Sequence, residues 1–339
     1  MRLKKEIKII LLIMILCLVG LMVYKYRNKI FKSSSSNTST IVDTTKEEEK
    51  EEQKKQEEAA LKEAEKKQKY DDCMKEPYKM ETLDQEFKNL FATYPNGQIG
   101  VYFTDVNNEY SYSFNANQGF YSGCVTKLFG TIYLIEQARA GKMNLHDTYT
   151  YLAVDKKPFS DLMDKHKIGE KIPITTLMDY YLTTSDNTAY FIIIRNIGAG
   201  TLNTYFKENY GLTLHFTNNH PFESSYTATL GNESLKILNE LLQVDDEYSA
   251  LVRKAMDNDV ENTLNFDDKK FLHKYGEYDI YHNDIGIYDT ENPYLVSILT
   301  HYTYTGYKEK IPKINKDLYT IYQKNLDSKQ QYCEARVNE

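Results

Sequence analysis

The stretch Phe120-Tyr121-Ser122-Gly123-Cys124-Val125-Thr126-Lys127 decides how the rest of the chain is read. Cys124 and Lys127 stand at i and i+3, so on a helix they share one face. A helix start and a neighbouring ammonium both favour the thiolate, the nucleophilic form of cysteine. Two further short motifs follow in order. Ser185-Asp186-Asn187 lies within Leu182–Ala189, and Lys274-Tyr275-Gly276 opens a strand-like run that leads to Asn283-Asp284-Ile285-Gly286. A C-x-x-K or a K-x-G match is expected about once by chance in such a chain, and S-D-N more rarely, so the signal lies in their order and context.

The apolar pattern around the motifs sets the fold class. Leu83, Phe87, Leu90 and Phe91 recur at i, i+4, i+7 and i+8, an amphipathic helix. Ile99, Val101 and Phe103 alternate, Asn107-Asn108 makes a turn, and Tyr110, Tyr112 and Phe114 alternate again, a hairpin. Helical pattern dominates from about Val125 to Met256. Strand-like runs follow at Phe271–Tyr275, Asp284–Tyr288 and Tyr294–Thr300, then a helix carrying Ile314, Leu318, Ile321 and Tyr322. Strands at both ends of a helical middle predict an α+β domain whose sheet is built from distant segments.

The three motifs, in this order, resemble the S-x-x-K, S-D-N and K-T-G elements of class A β-lactamases and penicillin-binding proteins. Gly141–Asp147 after the first motif, Ile174–Met178 before the second, and Asn283–Tyr288 with Pro293–Thr300 extend the resemblance. It covers nearly all of 80–325 and is nearest to the β-lactamase-like serine hydrolases of Gram-positive bacteria. It implies an antiparallel sheet flanked by helices, with a helical subdomain. It also implies roles. Cys124 would be the nucleophile, Lys127 its partner, and Ser185 a proton relay to the leaving nitrogen. Asn187, Lys274, Gly276 and Glu277 would form the substrate-binding set. In it Asn187 bonds the substrate amide, Lys274 holds a carboxylate, and the Glu277 and Cys124 amides form an oxyanion hole.

Three departures qualify that picture. Cys124 stands where the family has serine. Leu214–Leu230 holds Glu223 as its only carboxylate, without the family's E-x-x-x-N pattern for the deacylating base. Tyr275 replaces the small hydroxyl beside the substrate carboxylate. The resemblance therefore supports two readings: an acyl-transferring enzyme acting slowly on β-lactams or peptidoglycan stem peptides, or a silent domain that binds cell-wall peptide or a partner protein. A cysteine peptidase would need a histidine base near Cys124, and the neighbouring Lys127 argues against it. The resemblance places the first and last helices antiparallel on one sheet face, which implies a Cys73–Cys333 disulfide and an oxidising compartment.

Composition bounds the remainder. The 339 residues are 41 % hydrophobic and include 30 Tyr and no Trp, so a core of ordinary size can form. Ile9–Tyr24 holds no charge and would span about 24 Å as a helix. With flanking Lys8, Lys25 and Arg27 able to snorkel, and no small-residue cleavage site, it reads as an uncleaved membrane anchor within 1–27. Residues 28–70 read as a charged stalk, helical by propensity over Lys46–Lys69. They lack the apolar seam of a coiled coil, so the chain is read as a monomer. About 270 residues, 71–339, remain for the domain. The chain carries net charge −7, with its basic excess beside the apolar run, so the domain is acidic and a poor candidate for nucleic acid. The seven His form no metal motif, and no cofactor is expected. The expected setting is a single-pass membrane protein with its C-terminal domain outside the cytoplasm.

Overall fold

A computed structural model describes residues 41–94, 97–258, 263–301 and 304–338. The anchor at Ile9–Tyr24 lies outside the described residues. No helix among those described is long and apolar enough to cross a membrane. The chain divides into two compact units, Met1–Gln68 and Lys69–Glu339. Helix α1, Ile41–Cys73, begins in the first, and over residues 50–69 its side chains are exposed. Glu, Lys, Gln and Ala favour helix without needing a buried face, so this segment holds its conformation by propensity and local pairs such as Lys55–Glu51 (3.0 Å).

The second unit is built on one five-stranded antiparallel sheet. Its strands are β1 (Ile99–Asp105), β2 (Tyr110–Phe114), β5 (Leu272–Tyr278), β6 (Tyr281–Tyr288) and β7 (Tyr294–His301), in the order β2-β1-β7-β6-β5. Pairing Val101 with Ile298 and Phe103 with Val296 closes the first hairpin onto the last strand, joining segments distant in sequence. Strand β7 is buried on both faces and splits its side chains by the period of two. Tyr294, Val296 and Ile298 enter a core shared with α2 (Leu83–Phe91) and α10 (Tyr304–Asn338). Leu295 and Leu299 enter the larger core on the other side.

That larger core holds the helical middle: α3 (Lys127–Arg139), the short α4 (Leu162–Lys165), α5 (Ile174–Thr183), α6 (Asn187–Ile197), α7 (Ala199–Tyr210), α8 (Ala228–Leu242) and α9 (Glu247–Asp257). A two-stranded ribbon, β3 (Thr148–Thr150) with β4 (Lys171–Pro173), interrupts it. The sequence pattern gave no sign of the ribbon, because strands of three residues cannot display a period. Strand β6 also begins at Tyr281, earlier than the expected Asp284. Its added residues His282 and Asn283 are polar yet buried, so they broke the apolar pattern.

Two buried ties, one polar and one covalent, hold distant parts of the fold together. Asp284 accepts from His273 Nδ1 (2.9 Å), Thr263 Oγ1 (2.6 Å) and Leu264 N (3.1 Å), which fixes the β5–β6 register. Cys73 and Cys333 are joined by a disulfide, with Cα atoms 5.8 Å apart at a sequence separation of 260. Replacing both cysteines by serine in Lys69–Glu339 is expected to lower the denaturant midpoint by the equivalent of about 2–4 kcal/mol. Gel mobility should also differ between reduced and unreduced protein. Identical mobility and stability in the two forms would contradict the bridge.

Candidate active site

The site begins with a clamp. Asn283, buried on β6, donates through Nδ2 to Tyr121 O (2.8 Å) and Ser122 O (3.1 Å), and its Oδ1 accepts from Thr300 N (3.2 Å). Ser122 N donates to Glu223 O (2.9 Å) and Ser122 Oγ accepts from Glu223 N (3.0 Å). Held between sheet and loop, the chain turns at Gly123 (φ +55) into a 3₁₀ turn, Gly123–Thr126, that runs straight into α3.

Edge strand β5 packs against this turn at backbone distance. A Cβ on Gly123 would stand 2.6 Å from Glu277 N, and one on Gly276 would stand 2.4 Å from Ser122 O and 2.7 Å from Cys124 N. Only glycine fits at either position, and Gly123 also needs the left-handed backbone region. The contact sets the amide nitrogens of Cys124 and Glu277 beside one another. Paired donors of this kind suit a developing oxyanion.

Lys127 lies under Cys124, one helical turn on, and is fully buried. Its ammonium donates to Ser185 O (2.5 Å), Ser185 Oγ (3.4 Å) and Asn187 Oδ1 (2.9 Å). Cys124 Sγ points to the same Asn187 Oδ1 at 3.8 Å. Ser185 takes φ +57, a conformation costing about 1–3 kcal/mol for a residue with a side chain. The bond from Lys127 to its carbonyl and the anchoring of Asp186 offset that cost. Asp186 caps α6 by accepting from Ala189 N (2.8 Å) and ties down the neighbouring loop through Ser160 Oγ (2.5 Å) and Leu162 N (2.6 Å). Asp186 is therefore a structural anchor that turns Ser185 and Asn187 toward Lys127.

The electrostatics follow from burial and two lysines. Burial alone raises the Cys124 thiol, but the charges of Lys127 and Lys274 and hydrogen bonds from Ser185 and Lys127 outweigh it, so the thiol ionises below its ordinary range. Burial pushes the Lys127 ammonium down, Cys124 opposes this, and Lys274 adds to it, leaving Lys127 below the usual lysine range. A lysine so lowered gives up its proton more readily at neutral pH.

A cleft of about 450 Å³ opens over these groups, lined by Cys124, Ser185, Asn187, Tyr275 and Glu277 of the motifs, and by Phe159, Thr184, Tyr278 and Asp279. Lys127, Lys274 and Gly276 are buried and do not line it. The last four lining residues and the Asn283 clamp were missed in the sequence. Phe159 and Asp279 sit at positive φ, in turns whose side-chain direction no periodicity records. Glu223 is absent from the cleft. Its buried carboxylate accepts from His215 N and His215 Nδ1, the latter at 3.1 Å. Among the described residues no cluster of three His, Cys, Asp or Glu is placed to hold a metal.

An antiparallel sheet whose edge strand packs against the Cys124 turn, with Lys127 buried beneath it, is the arrangement to compare with known proteins. The model for the beta-lactamase enzyme family matches residues 82–322, and the chain belongs to that family. Beta-lactamase PSE-4 and Beta-lactamase CARB-3, both from Pseudomonas aeruginosa, are each 28 % identical to it over 120 residues, 35 % of this chain. The match spans 41 % of the length of those relatives. In structure it is similar to PBP-A, with a TM-score of 0.63 and 20 % identity over 73 % of this chain and 98 % of that one. A PBP-A mutant solved as an acyl-enzyme complex with penicillin-G also has a TM-score of 0.63, at 20 % identity over 73 % and 99 %. The TLA-3 extended-spectrum beta-lactamase has a TM-score of 0.61 at 15 % identity over 71 % and 98 %. At these identities the likeness is one of fold.

Gly276→Ala tests the paired amides. The added methyl would wedge β5 away from the Cys124 turn, so turnover or covalent capture of an acyl donor is expected to fall about 10²–10³-fold. Alkylation of Cys124 by iodoacetamide, which needs no oxyanion hole, should change little. Equal losses in both reactions would place the damage in the thiol and not in the amides.

Proposed function

We propose that the chain is an acyl-transferring enzyme of the penicillin-binding type that works through a Cys124 thioester on β-lactams or peptidoglycan stem peptides. The observation that carries this reading is the meeting of Cys124 Sγ and Lys127 Nζ on one atom, Asn187 Oδ1, beside the paired amides of Cys124 and Glu277. A substrate carbonyl placed over Cys124 would direct its oxygen to those amides. The Cys124 thiolate attacks the carbonyl carbon, a C–S bond forms, and the negative charge passes to the oxygen. When the tetrahedral species collapses, the C–N bond breaks. The leaving nitrogen takes a proton from Lys127, passed through Ser185 Oγ. Asn187 Nδ2, which donates to Pro158 O (3.2 Å), keeps a second hydrogen for the substrate's amide carbonyl.

The second half of the reaction is the weak one. Because Glu223 is tied to His215, no carboxylate of that loop serves to activate water, and the thioester persists until a water or an amine acceptor reaches it. Activity on β-lactams is accordingly slow, and the acyl-enzyme accumulates. In this reading Ile9–Tyr24 anchors the chain in the membrane and the domain faces outward, in the compartment where the Cys73–Cys333 bridge persists. The domain acts as a monomer.

Intact-protein mass spectrometry of Lys69–Glu339 after incubation with a penicillin tests the proposal. One adduct per chain, stable over many minutes and lost in Cys124→Ala, is the expected result. Folded protein that gives no adduct with any penicillin or D-Ala-D-Ala depsipeptide would instead favour a domain that binds without chemistry.

A further inference from the structure

The motifs account for the floor of the cleft but not for its outer end. There the wall consists of Tyr278 and Asp279, which follow Glu277 at the end of β5 and its turn, and of Phe159 from the loop between β3 and β4. Glu277 and Asp279 are exposed, and no lysine or arginine is among the described residues that line the cleft. The aromatic rings are exposed as well, 88 % for Phe159 and 59 % for Tyr278, although both are large and apolar. Tyr121 packs against the back of Tyr278 with ring centroids 4.4 Å apart, and its hydroxyl meets His220 Nε2 at 3.1 Å, so that wall is braced. His282 Nδ1 lies 4.0 Å from the Glu277 carboxylate.

We infer that this end of the cleft selects acyl donors that carry an ammonium group on their acyl side. The exposed Asp279 carboxylate supplies the charge complement. The faces of Phe159 and Tyr278 add cation–π attraction. Lys274 lies three residues before Glu277, roughly 10 Å back along the strand at about 3.3 Å per residue. The cleft is thus polarised, with positive charge beneath the leaving-group side and negative charge at the acyl side. A zwitterionic amide fits that polarity. A donor with an anionic acyl side is repelled. The inference rests on reading this cleft as the acyl-transfer site.

Three penicillins differ at one position on the acyl side: ampicillin carries an ammonium there, benzylpenicillin a hydrogen and carbenicillin a carboxylate. Binding of each to the Cys124→Ala chain by calorimetry separates recognition from chemistry. Ampicillin is expected to bind about 10-fold or more tighter than benzylpenicillin, with carbenicillin weakest. Asp279→Asn in the same background should compress the series to within about 3-fold. Asparagine tolerates the positive φ of Asp279, so the turn survives the change. Equal affinities for all three, no binding by any, or a series untouched by Asp279→Asn would overturn the inference. The same penicillins on the unaltered chain test the chemistry independently. Graded binding without adducts would remove the acyl-transfer reading and leave the selectivity standing. Adducts formed at equal rates with equal affinities would do the reverse.

Discussion

Strand β5 touches the Gly123–Thr126 turn backbone to backbone, and the rest of the site depends on that contact. It exists because neither Gly276 nor Gly123 has a side chain to hold the two segments apart. Several buried polar groups defend it from behind. Asn283 pins Tyr121 and Ser122 to the sheet, and the His273–Asp284 pair fixes the strand that bears Gly276. These bonds lie in low-dielectric surroundings, where losing one partner leaves the other uncompensated. The sheet spends its buried polarity on the edge where the nucleophile sits.

A second constraint is electrostatic. Burying Lys127 whole is costly unless every donor is used, and here its ammonium meets Ser185 twice and Asn187 once. That requirement explains the strained backbone at Ser185 and the anchoring of Asp186 beneath it. The satisfied lysine, with Lys274, then lowers the Cys124 thiol. A cysteine in this position needs its base less than a serine would, since the thiolate is already the nucleophile. In the proposed reaction the Glu223–His215 bond withholds the one loop carboxylate from the second half, so capture is favoured over release.

Much of this was legible before the fold was known. Cys124 and Lys127 could be placed together because i and i+3 share a helix face, and the helix predicted there exists as α3 with its preceding turn. The α2 helix and the first hairpin followed from periods near 3.6 and of 2, since each sets its large apolar residues on one face, Ile99, Val101 and Phe103 in β1. Legibility failed where side-chain direction is set by the backbone alone. Phe159 and Asp279 enter the cleft from positive-φ positions, and Asn283 hides in a buried strand where a polar residue broke the pattern. Asp186 sat in plain view inside its motif, yet its work, capping α6 and tying the loop over Ser160, shows only in three dimensions. The proposed membrane anchor rests on the apolar run of Ile9–Tyr24, outside the described residues.

The central claim is that buried lysines hold Cys124 as a thiolate. In Lys69–Glu339, Cys73 and Cys333 are bridged and Cys124 is the one free cysteine among the described residues, so thiol signals report on it alone. The direct measurement is the thiolate's ultraviolet absorbance titrated against pH in the unaltered domain and in Lys274→Ala. The account requires a midpoint clearly below the ordinary thiol value of about 8.5, moving upward when Lys274 is removed. A midpoint at or above that value, or one indifferent to Lys274, would contradict it.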